Sequence, residues 1–250
     1  MGRYHLIFDM PVKVGVCGFP VRREVLFQSV DVIEVQRTFY QIEKPSKYSR
    51  LRAETPPHID YTVKAWQGVT HKTISPTWRR FKGELEGNPK NYGGLQPTKE
   101  VLKSFRHTLE IAYSLKATLI LLQLPPSLKW EDYMTDTLRV FSEESGVRLA
   151  IEPREESWFR KKVLDFLRKN RYILVTDPFN RGVVDIDPEI IYLRLHGIGG
   201  YRYRYSENDL KRLYNMIKGK TDVKTIYILF NNLDMFRNAV EFKKLVASRE

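Results

Sequence analysis

The chain has 250 residues, with 42 Lys plus Arg against 30 Asp plus Glu, a formal net charge of +12 and a single cysteine, Cys17. That length suits one domain with a sizeable core, and a lone cysteine excludes an intrachain disulfide framework or a multi-cysteine zinc site. The positive balance favours an anionic small molecule or nucleic acid as partner, although a solvated Lys/Arg surface laced with ion pairs accounts for the same charge.

Up to Pro11 the N-terminus carries one short apolar run, Leu6 to Phe8, without the long apolar core or small-residue cleavage site of a secretion signal. No apolar run approaches the roughly twenty residues that span a bilayer. The expectation is a cytoplasmic protein with no membrane partner: one domain over residues 1–250, of which 1–11 form a short extension.

Buried parallel strands read as short β-branched or aliphatic runs, and the helices between them repeat apolar residues three or four apart. Runs of the first kind predict strands at Val12–Cys17, Asp31–Val35, Ile59–Lys64, Thr118–Leu122, Arg148–Glu152, Tyr172–Thr176, Ile190–Leu195 and Thr225–Phe230. His71 to Thr98, with three prolines and four glycines around Trp78, Arg79, Arg80, Phe81 and Lys82, predicts a long loop after the third strand: a lid, or a surface excursion with one short helix. Helical stripes follow at Val101, Phe105, Leu109, Ala112 and at Trp130, Met134, Leu138, Phe141. Ser206 and Asp209 form a capping-box pair ahead of Leu210, Leu213, Tyr214 and Ile217. Asp234 is placed to cap a last helix whose inner face is Phe236, Ala239, Phe242 and Val246.

Eight such units close most simply into a single (β/α)8 barrel of the TIM type, an α/β fold. Neither a G-x-G-x-x-G turn nor a Walker A loop follows any predicted strand, so no nucleotide cofactor is expected.

In such barrels the working residues sit at the C-terminal ends of the strands and in the loops just beyond. Those positions hold Glu34 and Gln36, Lys64 and His71, Gln123, Glu152 and Arg154, Asp177, Arg194 and His196, and Asn231. Individually each has a bland explanation: Glu152 could pair with Arg154, and Lys64 could neutralise Glu34. Cys17 in the first strand is better read as a small packed hydrophobe than as a nucleophile. Glu34, Glu152, Asp177 and His196 have ligand chemistry suited to a divalent metal, without any diagnostic spacing to support one. After the seventh strand, Gly197, Gly199 and Gly200 precede Tyr201, Arg202, Tyr203, Arg204 and Tyr205. Exposed backbone N–H groups beside stacking rings and guanidiniums suit a phosphate, yet strict alternation would also turn tyrosines and arginines to opposite sides.

Seven segments, in chain order, resemble the YecE-like family, domain of unknown function 72. They are Val14–Pro20 (VGVCGFP), Glu34–Tyr40 (EVQRTFY), Val63–His71 (VKAWQGVTH), Leu122–Pro126 (LQLPP), Ile151–Phe159 (IEPREESWF), Tyr192–Gly197 (YLRLHG) and Phe230–Asn232 (FNN). The resemblance implies a TIM-barrel fold and a cluster of family positions matched by Glu34, Lys64, His71, Gln123, Glu152, Arg154, Arg194, His196 and Asn231. It implies no established reaction. Two positions depart from the family pattern: Arg37 replaces a small or amide residue, and Pro153-Arg154-Glu155 stands where Phe-Arg-His is common. The missing histidine weakens any mechanism that needs it.

The resulting expectation is an enzyme, a hydrolase or lyase acting on a phosphate-bearing substrate. Glu152 or Glu34 would be its base or a metal ligand, and His196 or His71 its acid; Lys64, Arg154 and Arg194 would hold the anion. Gln36, Gln123, Asn231 and the seventh loop would complete substrate binding. Alternatives are a carbohydrate enzyme walled by Trp66, Trp78 and Trp158 and a binding module without turnover that uses the basic loops.

Overall fold

A computed structural model describes residues 12–249 of the chain, so the expectation for residues 1–11 lies outside the described residues. Eight strands form a closed, all-parallel barrel in chain order, β8 pairing with β1. They are β1 (Val12–Cys17), β2 (Val32–Val35), β3 (Asp60–Lys64), β4 (Leu119–Gln123), β5 (Arg148–Glu152), β6 (Ile173–Thr176), β7 (Ile190–Leu195) and β8 (Thr225–Phe230). Every predicted strand is present, and the ends that move do so by one residue.

Among the described residues ten helices accompany the strands: α1 (Arg23–Ser29), α2 (Arg37–Tyr40), α3 (Pro45–Ala53), α4 (Gln67–Thr70), α5 (Lys99–Leu115), α6 (Met134–Glu144), α7 (Lys161–Lys169), α8 (Pro178–Arg181), α9 (Glu207–Ile217) and α10 (Met235–Ala247). None of the described helices is long and apolar enough to cross a membrane.

Strands buried on both faces must be apolar throughout, which is why a run such as Leu119–Leu122 reads as continuous rather than alternating. One set of side chains fills the barrel, among them Val32, Leu119, Leu121, Ala150, Ile173, Val175, Tyr192, Tyr227 and Leu229. The other set meets the helices: Val101, Phe105, Leu109 and Ala112 of α5, Met134, Leu138 and Phe141 of α6. Each of the larger side chains contributes about 1.5–3 kcal/mol on burial. Gly15 lets β1 close onto β2, because a Cβ there would lie 1.8 Å from the carbonyl oxygen of Val32.

The long loop contains two short 3-10 turns, Pro76–Arg80 and Pro89–Asn91, rather than one helix. It folds down onto the barrel: Gly93, Gly94 and Leu95 return N–H groups to the carbonyls of Gly68, Thr70 and Val69. Trp66, Trp78, Phe81 and Tyr92 pack edge to face around one another, and the Trp78 indole donates to the carbonyl of His71 at 2.9 Å. Trp66 and Trp158 are buried, the latter against Trp130, and so do not wall the mouth as a sugar site would need, whereas Trp78 is half-buried within the loop's aromatic cluster.

Ser206 and Asp209 make the full reciprocal capping box of α9. Asp234 stands at the start of α10 without capping it; its carboxylate faces Arg204 instead, at 3.0 Å. The inner face of α10 carries Met235 and Asn238 together with Ala239, Phe242 and Val246, while Phe236 is only half-buried. Ser206→Ala should cost about 1 kcal/mol of unfolding free energy in urea titration, with an unchanged m value.

Candidate active site

Side chains alternate along a strand, so the residues inside the barrel form stacked layers, and the uppermost layer is polar. Thr62 points inward, meeting the Tyr192 hydroxyl across the barrel at 3.2 Å. Two residues further along the same strands, Lys64 and Arg194 are inward as well. Glu34 of β2, the strand beside β3, faces the same interior, so three strands deliver charges into one enclosed space.

Arg194 organises that space. It has no exposed surface, and its two terminal nitrogens reach opposite sides: one donates to Glu152 and to Gln123 (3.1 Å), the other to Glu34 (2.7 Å) and the Cys17 sulfur (3.5 Å). Glu34 also accepts from the Tyr192 hydroxyl and the Gln36 amide. Glu152 accepts from His196 Nε2 at 2.6 Å. With the Asn231 amide nitrogen 3.2 Å from Nδ1, the His196 ring accepts there and donates its Nε2 proton to Glu152. Asp177 takes the His196 backbone N–H at 2.9 Å and that of Phe179 at 3.0 Å.

These contacts correct several expectations. Arg194 is consumed by two carboxylates and is not a free anion ligand. Lys64 does not neutralise Glu34, because Arg194 does; the Lys64 ammonium lies 3.7 Å from the face of Phe39 instead. Arg154 is exposed and forms no ion pair with Glu152. The guanidinium occupies the space between Glu34 and Glu152 where a shared cation would sit. Among the described residues no group of three or more His, Cys, Asp or Glu is arranged to hold a metal ion.

In the seventh loop the Gly197 N–H is taken by the Tyr205 hydroxyl (2.8 Å), and the Tyr203 hydroxyl donates to Asp209 (2.8 Å). Tyr203 and Tyr205 turn inward while Arg202 and Arg204 face solvent, as alternation requires; Gly199, Gly200 and Tyr201 remain exposed.

Buried charges push the titrations apart. Burial alone would raise the Glu152 carboxyl, but Arg194 and His196 override it and hold it well below the usual carboxylate range. Asp177 is raised, chiefly by burial, against the two backbone N–H groups it accepts. Burial and the charges of Lys64 and Arg154 bring His71 down to about 3, so it has no proton to give at neutral pH and cannot be the acid. Cys17 is raised well above a normal thiol by burial and by Glu34, which leaves it protonated and unreactive.

Above this layer a cleft of about 250 Å³ opens over β5, β6 and β7, lined by Glu152, Arg154, Phe159, Asp177, Asn180, Arg181 and His196 among others. Arg181 lies over the Phe159 ring at 3.8 Å and pairs with Glu156, whereas Arg154 has no carboxylate partner among the described residues. Glu152, Arg154 and His196 thus meet in one cleft; Glu34, Gln123 and Arg194 lie beneath it. Lys64 and His71 lie toward the β2–β3 side. Tyr192, Asn180 and Arg181 were missed from the sequence. Tyr192 was legible as the inward position two residues before Arg194, and the other two as the continuation of the loop that Asp177 opens.

Two outcomes follow from the charges. Arg194→Leu should lose about 3–5 kcal/mol in urea unfolding by stranding two buried carboxylates, and Arg194→Lys should recover only part, because an ammonium cannot bridge them. Burial and the Arg194 charge bring Lys64 down to about 7, below its unfolded value near 10.4. Between those values only the unfolded chain binds the proton, so stability falls as pH drops from about 10.4 to about 7 and then levels off. Lys64→Met should therefore raise Tm by roughly 5–10 °C at pH 7, from a few kcal/mol at about 1.4 per pKa unit, and by much less at pH 10.5.

Comparison with known proteins agrees with the barrel fold. The family model described as protein of unknown function DUF72 matches residues 23–250. The UPF0759 protein YunF of Bacillus subtilis is 25% identical, over 80% of this chain and 77% of its own. A crystal structure of a DUF72 family protein from Thermotoga maritima has a TM-score of 0.70 at 24% identity, covering 95% of this chain and 99% of that one. Another, from Enterococcus faecalis, reaches 0.72 at 17% identity, covering 95% and 98%. The chain belongs to the DUF72 family.

Proposed function

We propose that this protein is an acid–base enzyme of the hydrolase or lyase type, acting on a small phosphate-bearing substrate in the cleft over β5, β6 and β7. One observation carries the reading: that cleft sets His196, Glu152 and Asp177 from the barrel interior against the unpaired Arg154 guanidinium. Because Arg194 and His196 already compensate Glu152, the carboxylates facing the cleft repel an anion less than their number suggests. Arg154 then supplies the attraction, and a planar guanidinium is matched to phosphate oxygens.

In this reading Glu152 fixes the His196 tautomer, which leaves Nδ1 as the basic nitrogen, hydrogen-bonded to Asn231. Asp177, raised by burial, is the better-placed proton donor. A volume of about 250 Å³ suits a small molecule rather than a nucleic-acid strand, so the nucleic-acid partner becomes the second choice.

Titration calorimetry with inorganic phosphate, followed by a turnover screen of phosphate esters and oligosaccharides, tests the proposal. Arg154→Ala should weaken phosphate binding about 10–100-fold, the worth of one charged hydrogen bond, and His196→Asn should abolish turnover while keeping that binding. Phosphate affinity indifferent to Arg154, or turnover of oligosaccharides alone, would reject the assignment.

A further inference from the structure

The acid–base scheme leaves one buried amine unused. Lys64 is the last residue of β3 and only 4% exposed, yet among the described residues no carboxylate lies within ion-pair distance of Nζ and no acceptor receives a hydrogen bond from it. The two carboxylates able to neutralise it, Glu34 and Glu152, are both held by Arg194. Its neighbours are the ring faces of Phe39 at 3.7 Å and Tyr40 at 5.9 Å. A buried lysine kept only for structure is ordinarily paired, and an apolar side chain of similar volume would cost less.

We propose that Lys64 is a carbonyl-condensing nucleophile, whose amine attacks a small aldehyde or ketone in the barrel mouth and forms an imine. As the C–N bond forms, the carbonyl π pair moves onto oxygen. That oxygen then leaves as water, carrying the two protons of the amine, and a C=N bond remains. Once solvent protonates the imine nitrogen, the electron pair of an adjacent C–H or C–C bond moves into an enamine C=C bond and the iminium π pair returns to nitrogen. The proton of a C–H bond passes to water; the other carbon of a C–C bond, if it bears a hydroxyl, leaves as a carbonyl compound with that hydroxyl's proton lost to water. This is the step a lyase needs. The inference rests on the mouth being an active site and names its substrate class as a carbonyl compound.

Three features of the surroundings serve this role. Arg194 is a fixed cation that opposes a second positive charge, and its two terminal nitrogens are already held by Glu34 and Glu152. His71, packed edge-on to Phe39 at 4.9 Å, stays neutral and adds no charge. With Lys64 brought down to about 7, half of the molecules carry a free amine at neutral pH, against roughly 1 in 2,500 for a surface lysine. Lysines desolvated in this way are the ones that enzymes use for Schiff-base chemistry.

The test is reductive trapping on the intact wild-type chain. The protein is incubated near pH 7 with sodium cyanoborohydride and either propanal or glyoxylate, and adducts are located by peptide mass mapping. Lys64 should be modified at least about tenfold faster than any other lysine, with half of the limiting rate near pH 7, and Lys64→Met protein of native circular dichroism should lose that adduct. Modification spread over the surface lysines with Lys64 unmodified would overturn the proposal. Phosphate that slows glyoxylate but not propanal would place the anion cleft beside the amine. Trapping at Lys64 indifferent to phosphate and to Arg154→Ala would support the amine and reject the phosphate reading instead.

Discussion

Everything at the barrel mouth depends on one guanidinium held between two buried carboxylates. Arg194 extends from β7 across the interior to Glu34 on β2 and Glu152 on β5, and a planar fork is the only cationic side chain able to reach both. Two carboxylates and one guanidinium leave a net negative charge in a low-dielectric space, which the remaining contacts disperse. Tyr192 and Gln36 donate to Glu34; His196 donates to Glu152. Each donor answers an electrostatic need created by the central triad, so none can be exchanged without leaving a buried group short of a partner.

The same fixed charge explains why neighbouring groups titrate so differently. It helps hold Glu152 ionised and helps keep Lys64 from holding its proton. Asp177 lies farther from it and is governed by burial and by backbone N–H groups. A group of an ionised carboxylate, a carboxyl that retains its proton more readily and an amine that gives up its proton more readily is a general property of acid–base centres. Here all three follow from a single arginine and from depth below the surface.

The strands and their polar ends were legible in the sequence because burial on both faces demands continuous apolar runs, and because a barrel sends inward residues to one mouth. What one strand shows is which side chains point inward, not which neighbour they meet across the barrel. Lys64 and Glu34, adjacent around the ring, looked like natural partners; the longer Arg194 reaches Glu34 from across the barrel with better geometry. Trp158 and Trp66 read as cleft walls for a similar reason, since exposure depends on loop packing that a local pattern does not record. The YLRLHG and IEPREESWF segments mark the candidate site, but Asn180 and Arg181 lie outside both, because α8 carries them over the cleft beyond the end of β6.

The seventh loop has a consequence for how a ligand could enter. Asp209 binds the N–H and hydroxyl of Ser206 and the hydroxyl of Tyr203, while Tyr205 holds the Gly197 N–H and Asn238 receives the N–H of Tyr205. The segment from His196 to Ser206 is thus anchored to the first turn of α9 at one end and to the barrel rim at the other, and even at its exposed tip the Tyr201 carbonyl accepts the Leu233 N–H at 2.7 Å. Flexing the whole loop would require unwinding the start of a helix. The frame of the barrel mouth on that side is therefore set as the chain folds, and the ordering entropy of the loop is lost at that stage.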